Sequence, residues 1–357
     1  MAIPEAQLLE SEAIDLTVEG PGAPGVARRG PLVPALLCLA GVACVVIAGW
    51  GIRSAGTVER SALAIAGGAL LWQGLQWLGR LAWGPSFRLG LVVSVVWLTA
   101  IVLASIFASW LPIEHWREAD IPNNLMRPGL RWPEPLGRTT NGYSELGHVI
   151  WGARTSLTIG VIAVGVGLFF GVVLGLLAGW YGKGVDATIG VLTNSVLAFP
   201  PLILLLAIVA VYGSGTRTLA FGLAALSVPT YTRLMRAQTI AIRQREFVLA
   251  ARAMGATNRR LMWREILPNA VVPVAAYSFI IIGVTIVAEA SLSFLGLGVP
   301  PPRPSWGSMI DAGRIKLKTD PHLVYVPAVF LFITVLSLNR IGEWARRKAF
   351  GERGEAI

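Results

Sequence analysis

Eight long apolar runs govern what this chain can fold into. They lie near 31–50, 61–83, 89–111, 155–182, 187–212, 218–242, 269–298 and 322–344. A helix rises ~1.5 Å per residue, so ~20 apolar residues cross ~30 Å of hydrocarbon. In lipid every backbone N–H and C=O must find a partner within the protein, and successive long apolar runs achieve this as helices. The sequence therefore predicts an all-α, polytopic transmembrane helical bundle. Composition agrees: of 357 residues only 14% are charged, against about a quarter in soluble domains.

The net charge is +10. In a soluble protein that would suggest nucleic acid as a partner. Here the positive charge falls in short loops beside apolar runs, as membrane topology requires, so the expected surroundings are lipid and no nucleic acid is predicted. Residues 233–265 hold eight arginines against Glu246 and Glu265, and the last residues add Arg346, Arg347, Lys348 and Arg353. The positive-inside rule places both segments in the cytoplasm. Counting back through the runs puts the amino terminus there too, beside Arg28 and Arg29. Segments 112–150 and 299–321, rich in Pro and Trp, then fall outside. Residues 1–30 carry five acids before Arg28 and lack the basic start of a secretory signal. They read as a disordered cytoplasmic tail, and 346–357 as a second tail. The two cysteines, Cys38 and Cys44, share one apolar run, and His115, His148 and His322 are far apart, so no metal site is expected.

Gly167, Gly171, Gly175 and Gly179 recur every fourth residue. That spacing puts small residues on one helix face and lets a neighbour approach closely, either as plain packing or as a sliding contact. Pro200–Pro201 and Pro229 predict kinks, because proline lacks the N–H that a helix interior needs. Very short links at 182–186 and 213–217 predict tight antiparallel hairpins.

The arginine-rich segment "EFVLAARAMGATNRRLMWREILPNA", residues 246–270, separates two apolar runs. Phe247, Ala250, Ala251 and Met254 fall at helical spacing, with Arg245, Arg252, Arg259 and Arg260 off that face. Gly255 is the expected stop, Thr257 or Asn258 the cap of a second short helix, and Pro268 the start of the next span. A helix resting on anionic headgroups would explain the arginines and the apolar face. It would not explain the small residues Ala250, Ala251 and Gly255, which suit close approach by another protein's backbone.

Leu249-Ala250-Ala251, then Gly255, then Leu267-Pro268, is similar to the Glu-Ala-Ala…Gly…Leu-Pro loop of permease subunits of ABC importers. "LLAGWYGKGVD" (176–186), "VLAFPPLILLLAIVAV" (197–211) and "AEASLSFLGLGVPPPRPSWGSMI" (288–310) resemble the dipeptide/oligopeptide/nickel branch, dipeptide permease C type. The match spans about residues 135–345. Leu249 departs from the usual Glu. In "LGRTTNGYS" (136–144), Thr139 and Ser144 stand where the family has Asp, and Tyr143 where it has Arg.

The resemblance implies a six-span type I importer permease domain over 89–345, preceded by two additional spans within 31–88. It implies that loop 243–268 is a coupling helix docking on an ATPase through Phe247, Leu249, Ala250, Ala251, Arg252, Met254, Gly255, Leu267 and Pro268. It implies a homologous permease partner, two ATP-binding subunits and an extracytoplasmic solute-binding protein, in a bacterial plasma membrane. The chain contains no Gly-x-x-x-x-Gly-Lys-[Ser/Thr] phosphate loop. It is therefore not expected to be an enzyme or to bind a cofactor; ATP and Mg belong to the partner subunits. Glu289 sits in an apolar run, where a charge costs about 2.5–3.5 kcal/mol. With Ser291, Ser293 and Pro200 it is the candidate lining or gate of the pathway; the competing reading is a bond to a neighbouring helix. Asn194 reads as an interhelical bond. Peptides are the branch's commonest cargo, with nickel chelates, opines and glutathione-like solutes as alternatives. The competing class is an ion-gradient-driven secondary transporter.

Overall fold

The computed structural model describes residues 32–46, 57–84, 87–129, 132 and 134–351. The tail expected over 1–30 lies outside the described residues. The chain divides into two compact units, one ending at Leu89 and one beginning at Gly90.

The first unit pairs α1 (Leu32–Val46) with α2 (Thr57–Trp83). A Cβ at Gly41 would lie 2.6 Å from Leu71 Cγ, and one at Gly74 would lie 2.5 Å from Cys38 Sγ, so the two helices run antiparallel in close contact. Cys38 and Cys44 are both free thiols.

The second unit is helical, with two isolated β-bridges and no strand among the described residues. Its helices are α3 (Leu89–Ile106), α4 (Glu145–Tyr181), α5 (Lys183–Ala198), α6 (Pro201–Tyr212) and α7 (Thr216–Arg243), followed by α8 (Glu246–Ala253), α9 (Leu267–Ala276), α10 (Ser278–Phe294), α11 (Trp306–Gly313) and α12 (His322–Gly351). By length and composition α3, α4 and α12 can each cross a membrane alone, as can two bent pairs: α5 with α6, and residues 258–276 with α10. α7 falls outside that group: four arginines and the polar stretch Thr230–Thr232 beside Pro229 lower its apolar character.

Several details differ from the sequence expectations. The fifth run breaks at the expected prolines more sharply than a kink within one helix: α5 and α6 are bent by 86°. Phe199 (φ −82°, ψ 136°) and Pro200 (φ −56°, ψ 126°) each precede a proline and are driven to extended backbone. Pro229, by contrast, sits inside an α7 that continues through it. The seventh run bends by 44° at Tyr277, four residues after Pro273. α12 continues to Gly351, so the first residues of the expected C-terminal tail are helical; Arg346, Arg347 and Lys348 suit a helix C-terminus.

The tightest pairing is between α4 and α7. Gly167 faces Ser227, Gly171 faces Tyr231, Gly175 faces Met235 and Gly179 faces Thr239, so the two helices run parallel at a constant offset. α5 and α6 form the return path between them, so the short links join elements whose closest packing is not with each other. Arg236 donates to both Asp186 oxygens at 2.5 and 2.6 Å, fixing the start of α5 to α7. Asn194 on α5 accepts a 2.7 Å bond from Arg233 on α7. Trp97 Nε1 on α3 donates to Thr334 Oγ1 on α12 at 3.0 Å.

Candidate functional site

The arginine-rich end of the second unit is built around α8. Arg245 leaves α7 in extended conformation (φ −75°, ψ 148°) and turns the chain into the new helix. Val248, fully buried, anchors α8 in a cluster with Trp180, Ile242, Leu261 and Ile266. This residue was absent from the sequence reading: an eight-residue helix is too short for its periodicity to single out the one inward position. Arg252 lies 5.1 Å from the centre of the Trp180 ring, tying α8 to the end of α4. Arg243 adds a brace by donating to the carbonyls of Gly179 and Trp180 at 3.2 and 2.9 Å. These are last-turn carbonyls of α4 that lack a helical partner.

With Val248 turned in, three large apolar side chains are left exposed beside the charged Arg245, Glu246 and Arg252. Phe247 is 40% exposed, Leu249 49% and Met254 82%, with Ala250 exposed between them. Ala251 is half-buried against the Val248 cluster. The helix stops at a Schellman turn: Gly255 N–H donates to Arg252 O at 3.0 Å and Ala256 N–H to Ala251 O at 3.1 Å. Gly255 has φ +84°, and nothing lies within 4 Å of where its Cβ would be. Its requirement is therefore backbone conformation rather than space.

Beyond the turn, Thr257 caps Asn258–Arg260 by accepting from Arg260 N–H. The expected second short helix is not separate. It passes through a π-helical turn, Leu261–Ile266, directly into α9, with half-buried Leu267 and exposed Pro268 in its first turn. Pro268 comes just after the π-helical turn, where the regular i to i−4 hydrogen-bond ladder is already interrupted.

The four residues proposed for a pathway do not form one group. Glu289 is fully buried in α10. Its carboxylate accepts from Ser156 on α4 at 3.0 Å and from Ser293 at 2.8 Å, and Ser293 lies 3.4 Å from Ser305, which caps α11. Trp306 N–H points at Ser156 Oγ at 3.4 Å, and its indole donates to Val149 O at 3.1 Å. Glu289 thus joins α4, α10 and the start of α11. Ser291 is half-buried and bonds back to Val287 O, while Pro200 is exposed at the break between α5 and α6.

A second polar cluster, in the connection from α3 to α4, escaped the sequence reading. Arg138, 7% exposed at its side chain, pairs with Glu114 at 2.5 Å, with Asp120 at 3.8 Å and with Glu134, and also donates to Gly142 O at 2.7 Å. One guanidinium therefore ties together three stretches of loop. Burial together with the neighbouring Glu114 carboxyl pushes Glu134 up to about 7, against the opposing pull of Arg138.

Residues 171–350 match the family described as binding-protein-dependent transport system inner membrane component. A dipeptide transport system permease protein from Alkalihalophilus pseudofirmus is 35% identical over 256 residues, covering 71% of this chain and 83% of that one. A glutathione transport system permease protein from Pectobacterium atrosepticum is 37% identical over 211 residues, covering 59% and 70%. Its counterpart from Escherichia coli is 35% identical over 257 residues, covering 71% and 84%. Among solved structures, an inward-facing MetNI methionine ABC transporter aligns over 56% of this chain and 95% of its own at 20% identity, with a TM-score of 0.47.

Proposed function

Because the chain belongs to the family of binding-protein-dependent transport system inner membrane components, we propose that it is one permease subunit of an ATP-driven importer of peptides, coupled through α8 to a separate ATPase. The observation that carries this reading is the α8 surface itself. Its inner side is held by Val248 and the Arg252–Trp180 contact, while Phe247, Leu249 and Met254 remain exposed on a helix ended by a positive-φ glycine. Exposed apolar side chains on a rigid mount suit a protein partner better than a lipid surface, which asks for bulk where this helix exposes Ala250.

On this reading the arginine-rich end faces the cytoplasm, and ATP and Mg are held by the partner subunits. Closure of those subunits on ATP carries α8 with them and alternates access to a pathway shared with a second permease. A solute-binding protein delivers the cargo on the opposite side. Glutathione is the second candidate, since two of the relatives carry that name. It is itself a small peptide with free amino and carboxyl groups, so both candidates present the same chemistry.

The test is a Met254→Cys variant, with a thiol crosslinker applied to native membranes. A crosslink to an ATP-binding subunit, enhanced by a trapped ATP analogue, is the expected result. The absence of any crosslink to an ATP-binding subunit would overturn the docking assignment. Uptake of labelled dipeptide and of labelled glutathione into vesicles loaded with ATP then separates the two cargo readings.

A further inference from the structure

At the end of the second unit away from α8, the first turn of α4 and the segment around α11 enclose a pocket of about 170 Å³. Its walls include Tyr143, Pro302, Met309, Ala312 and Leu323, and Glu145 lines its depth. Glu145 is 1% exposed, and its carboxyl makes no hydrogen bond or ion pair among the described residues; Oε1 is buried without any partner. Buried polar groups in folded proteins nearly always have partners, and an exception asks for a reason.

The two bases nearby do not supply one. His148 is engaged elsewhere: its Nε2 lies 3.2 Å from Trp116 O, and its ring stacks on Tyr143 at 4.6 Å. Arg303, on the exposed rim, is drawn toward the Trp116 ring at 6.0 Å. What remains is a slot with a largely apolar wall, lined also by Thr139, Thr140, Asn141 and Ser308, in which Glu145 is the one carboxyl and stands without a partner. Three prolines in its wall, Pro301, Pro302 and Pro304, limit backbone movement.

We infer that this pocket is a binding site for an alkylammonium group, the free amino end or lysine side chain of a peptide solute, with the Glu145 carboxylate as its acceptor. The apolar walls cover the hydrocarbon stem, and the cation gives the carboxylate the charged partner it lacks. Arg303 on the rim lies where the solute's carboxylate end would emerge. The inference rests on the importer reading for the nature of the solute. It adds a site formed within this one chain, ahead of any pathway shared with a second subunit.

The experiment uses the complete importer complex in nanodiscs, without its binding protein. The probe is lysyl-alanine, compared with the same dipeptide acetylated at both amines, and the readout is equilibrium binding by calorimetry. Saturable binding of the free dipeptide is expected, with at least a tenfold loss in E145Q, in A312W (which fills the slot from its exposed wall) and on acetylation. Equal binding by E145Q and wild type, equal binding of the acetylated probe, or no saturable binding would each overturn the site. ATP-driven dipeptide uptake measured alongside separates the two claims. Uptake unaffected by E145Q removes the site and leaves the importer standing, whereas no uptake by wild-type complex removes the importer reading itself.

Discussion

The hydroxyl of Ser156 donates to the carboxylate of Glu289 at 3.0 Å, linking α4 to α10 across 133 positions of sequence. With Ser293 on the other oxygen, and Ser305 beyond it, the carboxylate's partners are hydroxyls and not cations. The arrangement also sits where α11 crosses α10 most closely. A Cβ at Gly307 would lie 2.5 Å from Ala290 Cα, so the backbones are in contact at the point the network secures.

Glu289→Ala leaves the Ser156 and Ser293 hydroxyls buried without an acceptor. It is expected to destabilise the protein by about 1–3 kcal/mol, the usual cost of orphaning buried polar groups. Glu289→Gln retains an acceptor and is expected to cost less than half as much. Thermal unfolding in detergent measures both. If Glu289→Gln melts like wild type yet transports at a changed rate, the side chain serves the pathway as well as the packing.

The glycine face of α4 offers a matched pair of substitutions. A Cβ at Gly175 would lie 2.5 Å from Thr232 O and 2.7 Å from Met235 Cβ, whereas nothing lies within 4 Å at Gly165. Gly175→Ala must therefore push α7 away and is expected to cost about 1–3 kcal/mol, as overpacking does. Gly165→Ala gains helix propensity, with an expected stabilisation of about 0.5–1 kcal/mol. Equal melting temperatures for the two variants would mean that the α4–α7 contact yields easily.

What the sequence disclosed follows from how local each signal is. The apolar runs are composition, and the helices lie largely where the runs do. Pro200–Pro201 announced a disturbance, but the 86° angle depends on two consecutive residues both forced out of helical backbone. The glycine repeat announced a close approach without naming the partner. The opposing residues Ser227, Tyr231, Met235 and Thr239 share only a spacing, which any helix supplies. Ser156 looked like any small polar residue in an apolar run, and its link to Glu289 is visible only when α4 and α10 are packed. Arg138 was overlooked because its acceptors, Glu114, Asp120 and Glu134, are scattered through an irregular loop that has no period to read.

That loop should respond to pH. Glu134 has an ordinary value of 4.5 and is pushed up to about 7 in the fold by burial and by Glu114. The folded loop thus holds the proton more tightly than the unfolded chain does. Its contribution to stability is complete below pH 4.5 and is lost as pH rises through about 7. The melting temperature of the purified protein should therefore fall between pH 5 and pH 8. Glu134→Gln, neutral throughout, should flatten that dependence, and an unchanged profile in the variant would assign the effect to another group.

Gly255 separates conformation from contact at the α8 turn. Its φ of +84° costs an ordinary L-residue about 1–2 kcal/mol, and Asn less, while the open space around it tolerates a side chain. If the turn positions α8 for its partner, Gly255→Asn should keep most ATP-coupled uptake. Gly255→Val, whose branched Cβ resists positive φ, should reduce it about tenfold while the protein still reaches the membrane. If instead the glycine is needed because a partner backbone presses against it, Asn and Val should fail alike. Coupled uptake and ATP hydrolysis, measured together in reconstituted complexes, decide between a turn that aims the helix and a surface that is itself the contact.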